Sequence, residues 1–346
     1  MANTNEIGID LGTTKVMIYK NDEGIILNEP SVVAYDANSG DPIAFGENAF
    51  LMVGKTHKNI VAEFPLKNGV ISNYTLTKEM VKYFLDKSYN SKVVKPKVCI
   101  CIPSAVTGIE EKAVIDAAVS CGARQIFLIE EPIAAALGAG IDILKANGNI
   151  IVDIGGGTTD IAVISMGGIV CSKSIKIAGN TFDAEISKAL KNKYGFMAGQ
   201  RTVQTLKHEV ANCMPTQEEN VVYTVKGLNL QKGLPGKIEI STEDIYPIIE
   251  PLIEEILSSV KRVLEVTPPE LSGDIYENGV LLTGAGSKIK NLDKYMQKYL
   301  NINVKLAPES EKCVAIGTGM LCSSLLFSSR LICFKAVLLS SFLSRV

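Results

Sequence analysis

Two stretches of the sequence place an aspartate at the end of an apolar run and follow it with a glycine-containing turn and paired threonines. The first is Ile7-Gly8-Ile9-Asp10-Leu11-Gly12-Thr13-Thr14-Lys15-Val16-Met17-Ile18, and the second is Ile151-Val152-Asp153-Ile154-Gly155-Gly156-Gly157-Thr158-Thr159-Asp160-Ile161-Ala162-Val163-Ile164. Glycine keeps side chains out of such a turn, so backbone N–H groups can converge on a concavity that suits phosphate oxygens. A carboxylate at each strand end would repel phosphate by itself, but it is placed to reach a hydrated Mg2+ that neutralises the phosphate charge. One such turn is equally an ordinary hairpin in which glycine supplies a positive φ, and each Asp could merely accept backbone N–H groups in its turn. Two copies shift the balance, because a duplicated fold can face its loops across a cleft and grip a polyphosphate from both sides.

Both stretches have the pattern of a hairpin, and the chain reads as a duplication. Between the copies, 98–103 reads as a buried strand, 109–121 as a helix, 125–129 as a strand and 132–140 as an Ala-rich helix. After the second copy, helices are expected over 181–194, 202–212 and 242–264, with a β-leaning stretch at 220–240. A strand over 279–283 then runs into Gly284-Ala285-Gly286-Ser287 and a helix over 291–300. That third turn could pass under an adenosine or be a plain strand-to-helix turn. Alternating strands and helices set the class as α/β. The main boundary is expected near Ala146, giving domain I over 1–146 and domain II over 147–321, with an inserted subdomain at about 181–245. The segment 322–346 either returns to domain I or extends as a tail; it is too interrupted by charge for a membrane span of about 20 apolar residues.

Bulk properties narrow the function classes. The 346 residues, 47% apolar and 21% charged, can bury a large core in two domains. Lys plus Arg number 35 against 37 Asp plus Glu, so there is no broad basic field and nucleic acid is not an expected partner. The first residues carry no secretory signal, which favours the cytosol. Eight cysteines lack any C-x-x-C pair, and Cys99 and Cys101 would share one strand face, so reduced core thiols are expected. His57 and His208 are the only histidines; neither has ligand spacing to a cysteine or a second histidine, and both stand in polar, surface-type stretches. Transition-metal binding and His-assisted hydrolysis are therefore disfavoured.

The ordered set Ile9-Asp10-Leu11-Gly12-Thr13, Glu130-Glu131-Pro132-Ile133-Ala134-Ala135-Ala136, Asp153 to Asp160, and Leu282-Thr283-Gly284 resembles the ATPase superfamily of actins, sugar kinases and heat-shock chaperones. Asn28-Glu29-Pro30-Ser31-Val32-Val33-Ala34, Gly69-Val70-Ile71-Ser72-Asn73-Tyr74, Ile177-Ala178-Gly179 and Thr267-Pro268-Pro269-Glu270-Leu271 resemble, more narrowly, the MreB/Mbl family of bacterial actins. The likeness spans roughly residues 6–321.

The resemblance implies an actin-like ATPase fold, with two duplicated α/β domains around a nucleotide cleft that takes ATP and Mg2+. It also implies slow, polymerisation-linked ATP hydrolysis and filaments of this chain in the cytoplasm, at the inner face of the membrane, organising cell-wall synthesis proteins and cell shape. Carried over by position, Gly12, Thr13, Thr14 and Lys15 would contact phosphates from one half, and Gly155, Gly156, Gly157 and Thr158 from the other. Asp10 and Asp153 would hold the waters of the metal. Glu131 would orient the attacking water with Thr158 as its helper, and Lys207 and Glu209 would touch adenosine beside Gly284, Ala285 and Gly286. Without the resemblance, Glu130-Glu131-Pro132 is an acidic helix start, and Lys207 and Glu209 are solvated.

Three positions depart from the family pattern. Lys15 replaces an Asn and could reach a phosphate as a point charge or simply start the next strand. Asn180 replaces an Asp, and Ala285 replaces a glycine whose added methyl could crowd the nucleotide. The stretch after Leu321 does not resemble the family; packing or disorder is favoured there over lipid anchoring. Val93-Val94 offers an apolar pair whose weak lipid contact would need filament avidity. Two other readings remain open: a nucleotide-dependent scaffold similar to the division actin FtsA, which scarcely turns over ATP, and a small-molecule kinase on the same fold, for which no substrate motif is present.

Overall fold

In a computed structural model of the chain, the structure describes residues 6–21, 23–89, 95–103, 107–323 and 335–337. The first half opens with the expected hairpin, β1 (Glu6–Leu11) and β2 (Lys15–Lys20), and continues into β3 (Gly24–Pro30). A small sheet follows, of β4 (Val33–Asp36), β5 (Pro42–Phe45) and β6 (Ile60–Glu63), with the short helix α1 (Gly46–Phe50) after β5. Next come the two-residue strands β7 (Leu66–Lys67) and β8 (Val70–Ile71), then α2 (Tyr74–Ser88), β9 (Lys97–Ile102), α3 (Gly108–Ser120), β10 (Gln125–Glu130) and α4 (Glu131–Gly138).

The second half repeats the opening with β11 (Asn149–Ile154), β12 (Thr159–Ser165) and β13 (Gly168–Ile175). Helix α5 (Gly179–Tyr194) leads to β14 (Phe196–Met197), α6 (Gln200–Val210), β15 (Val222–Asn229) and β16 (Leu234–Ser241), whose three strands form a separate sheet. Helix α7 (Thr242–Glu265) starts at a capping box in which Ser241 and Asp244 exchange hydrogen bonds, a local signal strong enough to fix its first turn. Then follow α8 (Pro269–Asn278), β17 (Val280–Thr283), α9 (Leu292–Leu300), β18 (Val304–Leu306) and α10 (Cys313–Ser323). Finally β19 (Lys335–Val337) pairs antiparallel with β10 at the edge of the first sheet.

The two large sheets share one strand order. In the first, β1 pairs antiparallel with β2, which leads to β3, and parallel with β9, which leads to β10; in the second, β11 stands between β12–β13 and β17–β18 with the same directions. The duplication read from two short motifs is thus a duplication of a five-strand plan.

Strand alternation explains both the core and the site. Odd positions of β1 (Ile7, Ile9, Leu11) and even positions of β9 (Val98, Ile100, Ile102) pack with α2 and α3 in one core. Ile150, Val152 and Ile154 of β11, with Ile161 and Val163 of β12, pack with α5 and α7 in another. The opposite faces meet in a third core, where Cys99, Cys101, Ile151, Ala162 and Ile164 surround α4 and α10. Because side chains alternate with period two, Asp10, Asp153 and Asp160 fall on these inner faces. The seven described cysteines are all free and six are buried, as expected of reduced core thiols.

Candidate functional site

The glycine turns that follow β1 and β11 meet across a cleft of about 290 Å³, and every candidate site residue named from the sequence lines it. A β-carbon on Gly156 would fall 1.5 Å from Thr14 Oγ1, and one on Gly157 would fall 2.5 Å from Thr13 Oγ1 and 2.9 Å from Asn68 Cα. Gly155, Gly156 and Gly157 all lack a positive φ. The ordinary-hairpin reading is therefore corrected: glycine is needed here because the opposite wall approaches, not because the turn is left-handed. Gly284 is the reverse case. Its φ is 82°, and a β-carbon there would lie 2.3 Å from the Ile154 carbonyl oxygen. Ala285 has an ordinary helical backbone (φ −70°, ψ −31°) and its methyl is exposed, so the departure from glycine costs the turn nothing.

Carboxyl groups form the floor. Asp10 is the penultimate residue of β1 and Asp153 that of β11; Glu131 begins α4, with Pro132 in its first turn as the helix-start reading expects. Asp160 stands directly across from Asp153 in the β11–β12 register. Burial and then Asp153 push the Asp10 carboxyl up to about 7. Burial, with Asp160 adding, pushes Asp153 up to about 7 even though Thr283 Oγ1 donates to its Oδ1 at 2.8 Å. Burial first, then Asp160, Asp153 and Asp10, hold Glu131 well above the ordinary carboxylate range. Like charges this close cannot all ionise without a cation nearby. Among the described residues, neither Asp10 nor Asp153 accepts a backbone N–H of its turn, so the turn-acceptor alternative does not hold.

The sequence reading missed several parts of the site. Asp160 was overlooked because its placement follows from the hairpin register; folding back Asp153 to Asp160 about the glycine turn would have found it. The β7–β8 hairpin was also missed, although Asn68-Gly69 is the dipeptide expected of a tight turn, and both residues have positive φ (52° and 76°). Its tip enters the cleft, where the Gly69 N–H donates to Thr13 Oγ1 at 3.0 Å. A β-carbon on Gly69 would come within 3.0 Å of Thr158 Cγ2.

Lys207 is not solvated, which corrects the reading from composition. It is buried, its Nζ lies 2.8 Å from Asp183 Oδ1, and it donates to the Gly179 carbonyl at 2.9 Å. The Gly179 and Asn180 N–H groups in turn donate to the Gly155 and Gly156 carbonyls at 3.1 and 2.8 Å. Helix α6 therefore steadies the glycine turn through the first residues of α5, and Asn180 contributes by its backbone, which the departure from Asp leaves intact. Glu209 is exposed at the cleft. His208 is exposed at the cleft as well, and His57 is exposed away from it. Val93-Val94 and most of the segment after Ser323 lie outside the described residues. No helix among the described residues is long and apolar enough to cross a membrane.

Comparison with known proteins agrees with this geometry. The family model described as MreB/Mbl protein matches residues 4–328. The chain is 45% identical over 317 residues to the cell shape-determining protein Mbl of Bacillus subtilis strain 168, covering 91% of this chain and 95% of that protein. The crystal structure of MreB5 of Spiroplasma citri bound to ADP matches with a TM-score of 0.86 at 38% identity, over 91% of this chain and 95% of that one. The same protein bound to AMPPNP matches with a TM-score of 0.88 at 37% identity, over 93% and 96%. The fold is therefore actin-like, and the chain belongs to the MreB/Mbl family.

Proposed function

We propose that this chain binds ATP with Mg2+ in the cleft, hydrolyses it slowly, and assembles with copies of itself into filaments. We place those filaments at the inner face of the cytoplasmic membrane, where they organise cell-wall synthesis proteins and cell shape. The observation that carries the reading is the meeting of two glycine turns, from sheets of one strand order, over carboxyls that burial and mutual repulsion hold partly protonated. The names of the relatives support it: Mbl is a cell shape-determining protein, and MreB5 has been solved with ADP and with AMPPNP. On this reading domain I is 1–146 with β19 returning to it, and domain II is 147–321 with the β14–β16 unit inserted.

The residues present fit a Mg2+-bound polyphosphate. Thr14 Oγ1 is buried without a hydrogen-bond partner among the described residues, and the glycine turns leave room where a β-carbon would fill it. Gly12 to Lys15 and Gly155 to Thr158 would hold the phosphates, and Asp10 and Asp153 the water shell of the metal. No group of three or more His, Cys, Asp or Glu among the described residues is placed to hold a metal ion directly, in keeping with a cation that keeps several waters and phosphate oxygens. When bound, Mg2+-ATP supplies the scissile phosphoanhydride and the neutralising charge. The chain's own task is positioning: Glu131 would orient the attacking water, Thr158 would assist, and Gly284 to Gly286 with Glu209 would border adenosine. Lys207 would act on the Gly179 carbonyl rather than on the base.

One observation favours a second reading. Burial, with Asp160, Asp153 and Asp10 adding, disfavours the ionised form of Glu131 that would accept from the attacking water, which suits a scaffold that binds nucleotide and scarcely turns it over. Phosphate release and sedimentation, measured together with Mg2+-ATP and liposomes, separate the two. Release should track pelleting, and Glu131→Ala should slow release by about 100-fold. Release without any sedimentation or lipid-bound filaments would overturn the filament reading, and filaments without release would establish the scaffold.

A further inference from the structure

Beside the cleft, two segments far apart in the chain meet through a cation and a ring. The Arg201 guanidinium of α6 lies over the ring of Phe50, at the end of α1, with Cζ 4.9 Å from the ring centroid. Helix α1 belongs to the first half and α6 to the second, so this contact joins the two halves. Neither residue lines the cleft, but each is tied to an element that does. Arg201 stands one turn before Gln204 on α6, and Gln204, Lys207 and His208 all line the cleft. Phe50 packs edge-on against Phe64, with ring centroids 6.5 Å apart and planes at 76°. Phe64 leads into the β7–β8 hairpin, whose root is fixed where the Ser72 N–H donates to the Pro65 carbonyl at 2.9 Å and whose tip brings Gly69 to Thr13.

We propose that Arg201 and Phe50 form a latch between the two halves, which must part before nucleotide enters or leaves and therefore sets how fast this chain exchanges it. The proposal rests on the nucleotide reading above and adds to it two residues that govern passage. Their chemistry suits a joint that opens and closes. A guanidinium is planar and weakly hydrated, and it is drawn to the negative face of an aromatic ring. Arg201 makes no ion pair with any described residue, and both side chains are half-buried. Parting the contact therefore returns the guanidinium to water without stranding a buried carboxylate. Phe50 keeps its packing on Val32, Ala34 and Ala49 within its own half, so opening the latch does not dismantle the β4–β6 sheet. Because neither side chain lines the cleft, the latch acts on entry and release alike rather than on the bound nucleotide.

Stopped-flow release of N-methylanthraniloyl-ADP from the full chain, chased with excess ADP, tests this beside calorimetric affinity for ADP. Arg201→Gln and Phe50→Leu should each speed release about 5-fold while changing ADP affinity by less than about 2-fold. The Arg201→Gln/Phe50→Leu double variant should also release about 5-fold faster rather than about 25-fold, because either change alone already removes the contact. Phe50→Tyr, which keeps the ring face, should stay within about 2-fold of the parent. Should Phe50→Leu loosen its own half, Arg201→Gln and Phe50→Tyr still decide the matter. Unchanged release from Arg201→Gln would overturn the proposal and leave the nucleotide reading standing. Faster release matched by an equal loss of affinity would also overturn it, showing that the pair acts on the bound nucleotide. Multiplying effects in the double variant would overturn it as well, since the two residues would then act separately. A parent chain that binds no ADP would overturn the nucleotide reading, and this proposal with it.

Discussion

At Gly156 a single added carbon would lie 1.5 Å from Thr14 Oγ1, so this residue measures how closely the two halves approach. Gly156→Val should introduce about 1–3 kcal/mol of overpacking and weaken ADP binding by about 10-fold or more; calorimetric affinity equal to the parent would show that the turns need not close. The acidic floor gives a pH signature. Asp10 and Asp153, both pushed up to about 7, hold protons in the folded, nucleotide-free chain that the unfolded chain has already released. Their contribution to stability therefore falls as pH rises from about 4 to about 7. Mg2+ competes with those protons, so the extra thermal stabilisation of ADP by Mg2+ should be larger at about pH 8 than at about pH 6. Equal shifts in differential scanning fluorimetry would argue that these carboxyls do not face the metal. Asp10, Asp153 and Glu131 were legible as residue types at strand ends and a helix start. Asp160 and the Lys207–Asp183 pair were not, because cross-strand register and helix packing place them, and neither shows in local composition.

Helix α10 carries the chain from the second sheet back against the first and fits there through glycines. A β-carbon on Gly317 would fall 1.9 Å from the Ala134 carbonyl oxygen of α4, and one on Gly8 of β1 would fall 2.4 Å from the Gly319 nitrogen. Gly138 is in the same position against the Cys313 carbonyl oxygen, at 1.8 Å. Backbone on backbone leaves no flexible side chain to yield. Gly317→Ala should cost at least about 2 kcal/mol, lowering the melting temperature by about 4–8 °C; an unchanged melt would mean that α4 and α10 can separate without loss. This helix escaped the sequence reading for a physical reason: Cys313-Val314-Ala315-Ile316-Gly317-Thr318-Gly319-Met320-Leu321 is apolar on most sides, so no polar stripe marks a helical period. The elements that were read correctly carry strong local contrast, such as α7 with its Ser241 and Asp244 start, or β11 with Ile150, Ile151 and Val152 leading into Asp153. Strand β18, three residues long, depends on pairing with β17 and has little signal of its own.

Across the whole molecule, one plan used twice explains why two unremarkable turns make a site. Each sheet buries its outer face under its own helices, so the inner faces, with Asp10 on one and Asp153 on the other, meet around α4 and α10. Duplication was legible because the motif repeats in order and spacing. The meeting of the copies was not, since it rests on glycine contacts between segments far apart in the chain. Membership of the MreB/Mbl family follows from the sequence and the fold together. The most direct test of the central claim is amide hydrogen exchange with and without Mg2+-ADP, followed at Gly12 to Lys15 and at Gly155 to Thr158. Both turns should gain protection together on binding, because one ligand is held from two walls; protection of one turn alone, or of neither, would contradict the account.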